Sequence, residues 1–113
     1  MRAILSILLF FTCYFGFAQI NTPPPSPSSQ VEQIVGLTEI EVEYNRPSKK
    51  GRVVFGNLVP YGKLWRTGAN SNTKINFSTD VELNGNKINA GTYSIFSIPN
   101  KNSWEIILYS ESN

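Results

Sequence analysis

Between Thr38 and Tyr44 the chain alternates strictly, with Ile40, Val42 and Tyr44 set against Glu39, Glu41 and Glu43. Successive side chains of a strand point to opposite faces, so this segment predicts a half-buried antiparallel strand with an acidic outer row. The alternation returns through Ile75, Phe77, Val81 and Leu83 and then meets Asn84-Gly85. That dipeptide tolerates the positive φ angles of a type I′ turn, and it predicts a hairpin within residues 74–88. Two further runs, "GTYSIFSIP" (91–99) and "WEIILY" (104–109), are β-branched and aromatic, and the turn residues "NKNS" separate them. No window of a dozen residues keeps a helical period. Strands at this spacing predict an all-β fold, an antiparallel β-sandwich or barrel-like domain. So few strands would leave a long edge unpaired, so the domain is expected to be incomplete at its C-terminus.

Before the first predicted strand lies "MRAILSILLFFTCYFGFAQI". Arg2 supplies a positive start, the run from Ala3 to Phe11 is apolar but for Ser6, and Gly16 and Ala18 are small residues two apart. This is the pattern of a signal peptide over residues 1–18, cleaved after Ala18 to leave Gln19 first. A membrane anchor is the alternative, but Thr12 and Gly16 interrupt the apolar run well short of the roughly 20 residues a spanning helix needs. Lipid attachment at Cys13 is a third reading, set against by Thr12 where a small residue normally precedes the cysteine. The expectation is an exported protein, periplasmic or extracellular, with no transmembrane helix in the mature chain. "NTPPPSPSS" then makes residues 19–29 a Pro- and Ser-rich linker, and residues 30–113 form the β-domain. A domain that small buries only about two thirds of its unfolded surface, so every strand is needed for the core.

Composition narrows the chemistry. Cys13 is the only cysteine and there is no histidine. The mature chain therefore has no disulfide and no zinc–histidine site, and Ser-His-Asp and Cys-His nucleophile systems are excluded from these residues. No metal and no cofactor is expected. Removal of Arg2 with the signal leaves nine basic against eight acidic residues. That balance is far from the basic footprint of nucleic-acid binding.

The distribution of charge is more informative than its sum. "YNRPSKKGRVVFGNLVPYGKLWRTGAN", residues 44–70, holds four of the eight glycines and six of the ten Lys and Arg residues, without one Asp or Glu. Gly51, Gly56, Gly62 and Gly68 recur too sparsely for a phosphate-cradling loop but suit successive turns, and no nucleotide-binding glycine motif is present. The stretch has two readings. In one it is a long structural connection, with Arg46 and Arg66 paired to Glu39, Glu41, Glu43 or Asp80 and Trp65 in the core. In the other it is a ligand surface on which the cations converge, with Tyr61 or Trp65 as a stacking face. The candidate ligand-binding residues on the second reading are Arg46, Lys49, Lys50, Arg52, Tyr61, Trp65, Arg66 and Asn70. No catalytic and no metal-ligating residue is assigned.

The order "YNRPSKKGRVVFG", "LVPYGKLWRTGAN", "FSTDV" and "AGTYSIFSIP" resembles the domain of unknown function 2911 family of exported bacterial proteins, over residues 30 to about 110. The resemblance implies a secreted β-rich domain and carries over no catalytic residue. Its members run on beyond the point where this chain stops, which again implies a fragment. The leading functional expectation is a non-catalytic binding or envelope-associated domain whose ligand is anionic or a glycan. A purely structural module of a longer protein is the alternative. A hydrolase of envelope sugars, using two of the carboxylates across a cleft, is the third reading, although the acids of "TEIEVEY" look like a solvated face.

Overall fold

The structure is a computed structural model and describes residues 20–111. The expected signal peptide lies outside the described residues. The described residues form seven strands in the order β1 (Ser28–Val35), β2 (Thr38–Asn45), β3 (Thr73–Phe77), β4 (Val81–Leu83), β5 (Asn86–Ile88), β6 (Gly91–Pro99) and β7 (Trp104–Ser110). Five of them make one antiparallel sheet in the order β1-β2-β3-β6-β7, and β4 and β5 pair apart as a two-stranded sheet. The all-β, antiparallel expectation is borne out, and among the described residues the sheet does not close into a barrel. No helix among those residues is long and apolar enough to cross a membrane.

Local chemistry accounts for most of these elements. Asn84 and Gly85 have φ of 49° and 79°, the two positive values a type I′ turn requires, and they join β4 to β5 as the sequence predicts. Asp80 closes the base of that hairpin by accepting a hydrogen bond from the Ala90 amide at 2.8 Å. The strand β1 is not foreseen by alternation, because Val31, Ile34 and Val35 do not keep a period of two. Pairing creates it, with Val31 opposite Val42 and Glu32 opposite Glu41.

Register sets the two faces of the large sheet. Val31, Val42, Ile75 and Tyr93 stand in one row across β1, β2, β3 and β6, and Ile40 faces Phe77 in the next. On the opposite face run Glu32, Glu41, Asn76 and Thr92, beside a second row of Glu43, Lys74 and Ser94. The apolar face is thinly covered. Among the described residues, Phe77 (2 % exposed) and Val59 (8 % exposed) are the buried hydrophobic side chains, while Val31, Val35 and Ile106 remain in solvent. Phe77 also packs on the Tyr93 ring, with centroids 6.2 Å apart.

Candidate functional site

Residues 46–72 leave β2, cross one end of the sheet and return as β3. Their position is decided by a short extension of that sheet. Beyond the end of β3 the free edge of β6 is taken up by Trp65, whose amide donates to the Ser97 carbonyl at 2.8 Å and whose carbonyl accepts from the Ser97 amide at 2.9 Å. The Gly62 amide continues the contact by donating to the Pro99 carbonyl at 2.9 Å. Trp65 then meets Phe55 and Trp104 edge to face, with centroids 6.0 and 6.3 Å away, and Phe55 and Trp104 meet each other at 4.9 Å. Such tilted pairs align ring edges with ring faces, and each adds about 0.5–1.5 kcal/mol beyond the area buried.

Two backbone devices hold the rest of the loop. Gly56 has φ of 87°, and a Cβ there would lie 2.6 Å from the Tyr61 ring, so Tyr61 can approach the backbone this closely only because the residue is glycine. Thr67 adopts φ of 55°, a strained value for a β-branched residue. Its hydroxyl is bonded to the Ser97 hydroxyl at 2.8 Å, and its carbonyl accepts from the Thr73 hydroxyl at 2.5 Å. Ser97 is wholly buried and Thr73 nearly so, so this network fixes Arg66 and Thr67 from beneath.

The loop so folded encloses a cleft of about 510 Å³. Lys49, Arg52, Lys63 and Arg66 line it, together with Val54, Leu58, Val59, Pro60, Leu64 and Trp65, and no carboxylate among the described residues reaches it. Ser26, from the Pro- and Ser-rich segment ahead of β1, contributes to one wall. The volume is within the roughly 300–1,000 Å³ usual for small-molecule sites. Arg52 is partly committed to the loop itself, donating from Nε to the Lys49 carbonyl at 3.0 Å and from Nη2 to the Ser48 carbonyl at 2.8 Å. Neither bond neutralises its charge. Among the described residues no arginine pairs with a carboxylate, and the one ion pair is Lys74 with Glu111. The pairing of Arg46 and Arg66 with the acidic strand, one of the two sequence readings, is therefore not what the fold adopts.

Of the eight residues the sequence singles out, Lys49, Arg52, Trp65 and Arg66 come together in this cleft. The others do not. Arg46 extends the β1–β2 ladder through its amide, which donates to the Pro27 carbonyl at 2.9 Å. Lys50 takes φ of 50° in a tight turn and lines a smaller neighbouring hollow of about 330 Å³ with Pro25 and Pro47. Tyr61 lies against Gly56. Asn70 ties the loop to the segment before β1 by donating from Nδ2 to the Ser26 carbonyl at 3.3 Å. Sequence reasoning passes over Lys63, Leu58 and Leu64. Lys63 carries the same signal as its chosen neighbours, a cation in a stretch without acids, whereas nothing local marks the two leucines as site residues.

A second cleft, of about 540 Å³, lies on the polar face of the sheet between Glu41, Glu43, Lys74, Asn76, Thr92 and Glu111. Ser94, itself held by Asn72 at 2.5 Å, donates to Glu111, and Lys74 Nζ reaches the other carboxylate oxygen at 3.0 Å. The Ser94 hydroxyl first, and Lys74 second, hold the Glu111 carboxyl below its ordinary value of 4.5. A glycosidase acid must be shifted the other way so as to carry a proton near neutrality, so Glu111 is unsuited to that role. Since the folded value is the lower one, the stabilisation from Glu111 is fully present above about pH 4.5 and fades as pH falls through the folded value. Glu111→Gln is expected to flatten the acid limb of the stability curve and lower the plateau slightly, as read by denaturant melts between about pH 3 and 7. An unchanged acid limb would remove Glu111 from the acid sensitivity of the fold.

Fold and cleft together describe an antiparallel all-β domain with a basic, acid-free cleft built by the loop between its second and third strands. The chain belongs to the family described as protein of unknown function (DUF2911), whose sequence pattern matches residues 26–113. The match opens at Ser26, two residues before β1 and within the wall of the cleft. No curated protein and no solved structure matches the chain.

Proposed function

We propose that this domain binds an anionic ligand, without transforming it, in the cleft between Lys49, Arg52, Lys63 and Arg66, and that it acts as an exported, envelope-associated protein. The observation that carries the binding reading is the concentration of four cations in one concave site that no carboxylate enters. Unpaired like charges held together raise the local potential and favour a counter-charge arriving from solution. Guanidinium forks such as Arg66 also match the two oxygens of a carboxylate, sulfate or phosphate. The export part of the proposal rests on Arg2, the apolar run and the Gly16-x-Ala18 pair, and it makes Gln19 the mature N-terminus. The structural-module reading is favoured by one observation, that Arg52 bonds to the loop itself and Asn70 ties it to the segment before β1.

Arg66→Ala separates the two. Its side chain is exposed and has no carboxylate partner, so the substitution is expected to cost under about 1 kcal/mol of stability while binding falls at least about tenfold. The measurements are a thermal melt and a binding screen of sulfated, phosphorylated and neutral glycans, which covers the anionic and glycan alternatives together. A drop in stability of several kcal/mol, with no member of the screen bound by the unsubstituted protein, would leave residues 46–72 as architecture.

A further inference from the structure

The cations are only half of the cleft. Between them Val54, Leu58, Leu64 and Trp65 supply a largely apolar lining. Leu58 and Leu64 are 53 % and 63 % exposed although they line a concavity, so apolar surface stands in water at its mouth. Trp65 is the fixed wall, held by its double hydrogen bond to Ser97 and by the rings of Phe55 and Trp104. The lining has no carboxylate and no side-chain amide, so its side-chain acceptors for the hydroxyls of a sugar are only the Ser26 and Ser48 hydroxyls. A site rich in donors and apolar area, but poor in side-chain acceptors, matches a molecule with an anionic head and a hydrocarbon body.

On the strength of the anion-binding reading above, we propose that the cleft takes a single-chain amphiphile from solution, its phosphate or carboxylate head among Arg52, Lys63 and Arg66 and its alkyl chain along Leu58, Leu64 and Trp65. The cleft is concave and of small-molecule size, which fits one captured chain better than the flat plane of a bilayer. Each methylene buried adds affinity through the water it releases, up to about fourfold per group.

The test is calorimetric titration of the full chain with decyl phosphate, butyl phosphate, inorganic phosphate and uncharged decyl maltoside, each below its micelle concentration, and with phosphatidylglycerol vesicles. Leu64→Asn and Arg66→Ala are run alongside. These variants share everything outside the cleft with the unsubstituted protein, so any difference between them is the cleft's own. Decyl phosphate is expected to bind at one site at least about thirtyfold more tightly than butyl phosphate, six partly buried methylenes being ample for that ratio. It should also bind more tightly than decyl maltoside. Leu64→Asn should narrow the decyl-to-butyl ratio at least about fivefold, and Arg66→Ala should weaken both phosphates. Equal affinity for decyl, butyl and inorganic phosphate overturns the amphiphile while leaving an anion site standing. So does an unchanged ratio in Leu64→Asn. Binding to vesicles without binding to monomeric decyl phosphate makes the surface a membrane-docking face and overturns the proposal. Binding of none of the probes removes the anion-binding reading as well.

Discussion

Phe77→Ala is expected to cost about 3–5 kcal/mol, the range for removing a large aromatic from a packed interior. A small domain has only about 5–15 kcal/mol in total, so the variant should be marginal or unfolded at ambient temperature. The size of the effect follows from how little else is buried. Phe77 and Val59 are the buried hydrophobics among the described residues, so Phe77 carries a share of the apolar burial that a thicker core would distribute. Its ring also lies between Ile40 on one strand and the Tyr93 ring on another, and truncation leaves a hole that three strands must collapse to fill. Urea melts followed by circular dichroism give the number. A loss below about 1.5 kcal/mol would mean that the sheet does not depend on this row for its stability.

The second large effect is expected at Trp65, and its interest lies in the contrast with the next residue. Trp65→Ala should lose about 2–3 kcal/mol, less than a full core deletion because the residue is half-buried, and should weaken ligand binding at the same time. The indole is the common partner of Phe55 and Trp104, and its backbone attaches the loop to β6 through Ser97. Without it, the cleft loses one of the apolar side chains that line it. Trp65→Phe should recover most of the stability by keeping an edge-to-face partner for Phe55. Arg66→Ala, one position along, should do the opposite and lose binding at almost no cost in stability. Melts and titrations of the three variants form one comparison. If Trp65→Ala melted with the unsubstituted protein, the aromatic cluster would be decoration and not the frame of the cleft.

Much of this fold was legible along the chain. Ile40, Val42 and Tyr44 set against three glutamates defined a strand and its apolar face, because a period of two can satisfy only an extended chain. Asn84-Gly85 defined a hairpin, because few other pairs tolerate two positive φ angles in succession. The basic, glycine-rich stretch stood out as either a structural connection or a ligand surface, since six cations without an acid cannot be neutralised locally. Each of these signals lies within a few residues and depends on conformational preferences or charges that act at that range.

Tertiary structure decided what no such window contains. Pairing with β2 made a strand of Ser28–Val35, whose hydrophobics keep no period, and β3 came to lie beside β6 while the hairpin between them was set aside. The choice among the cations was made in the same way. Lys49, Arg52, Lys63 and Arg66 line one cleft, whereas Arg46 is not in its lining, Lys50 lines a neighbouring hollow, and Tyr61 and Asn70 serve the loop. In a regular strand, side-chain direction follows from position. In residues 46–72 it follows from left-handed residues, Lys50, Thr67 and Asn70 among them, and from bonds to Ser97 and Ser26 far along the chain. Composition could place the charge in this loop, but only those distant partners could aim it.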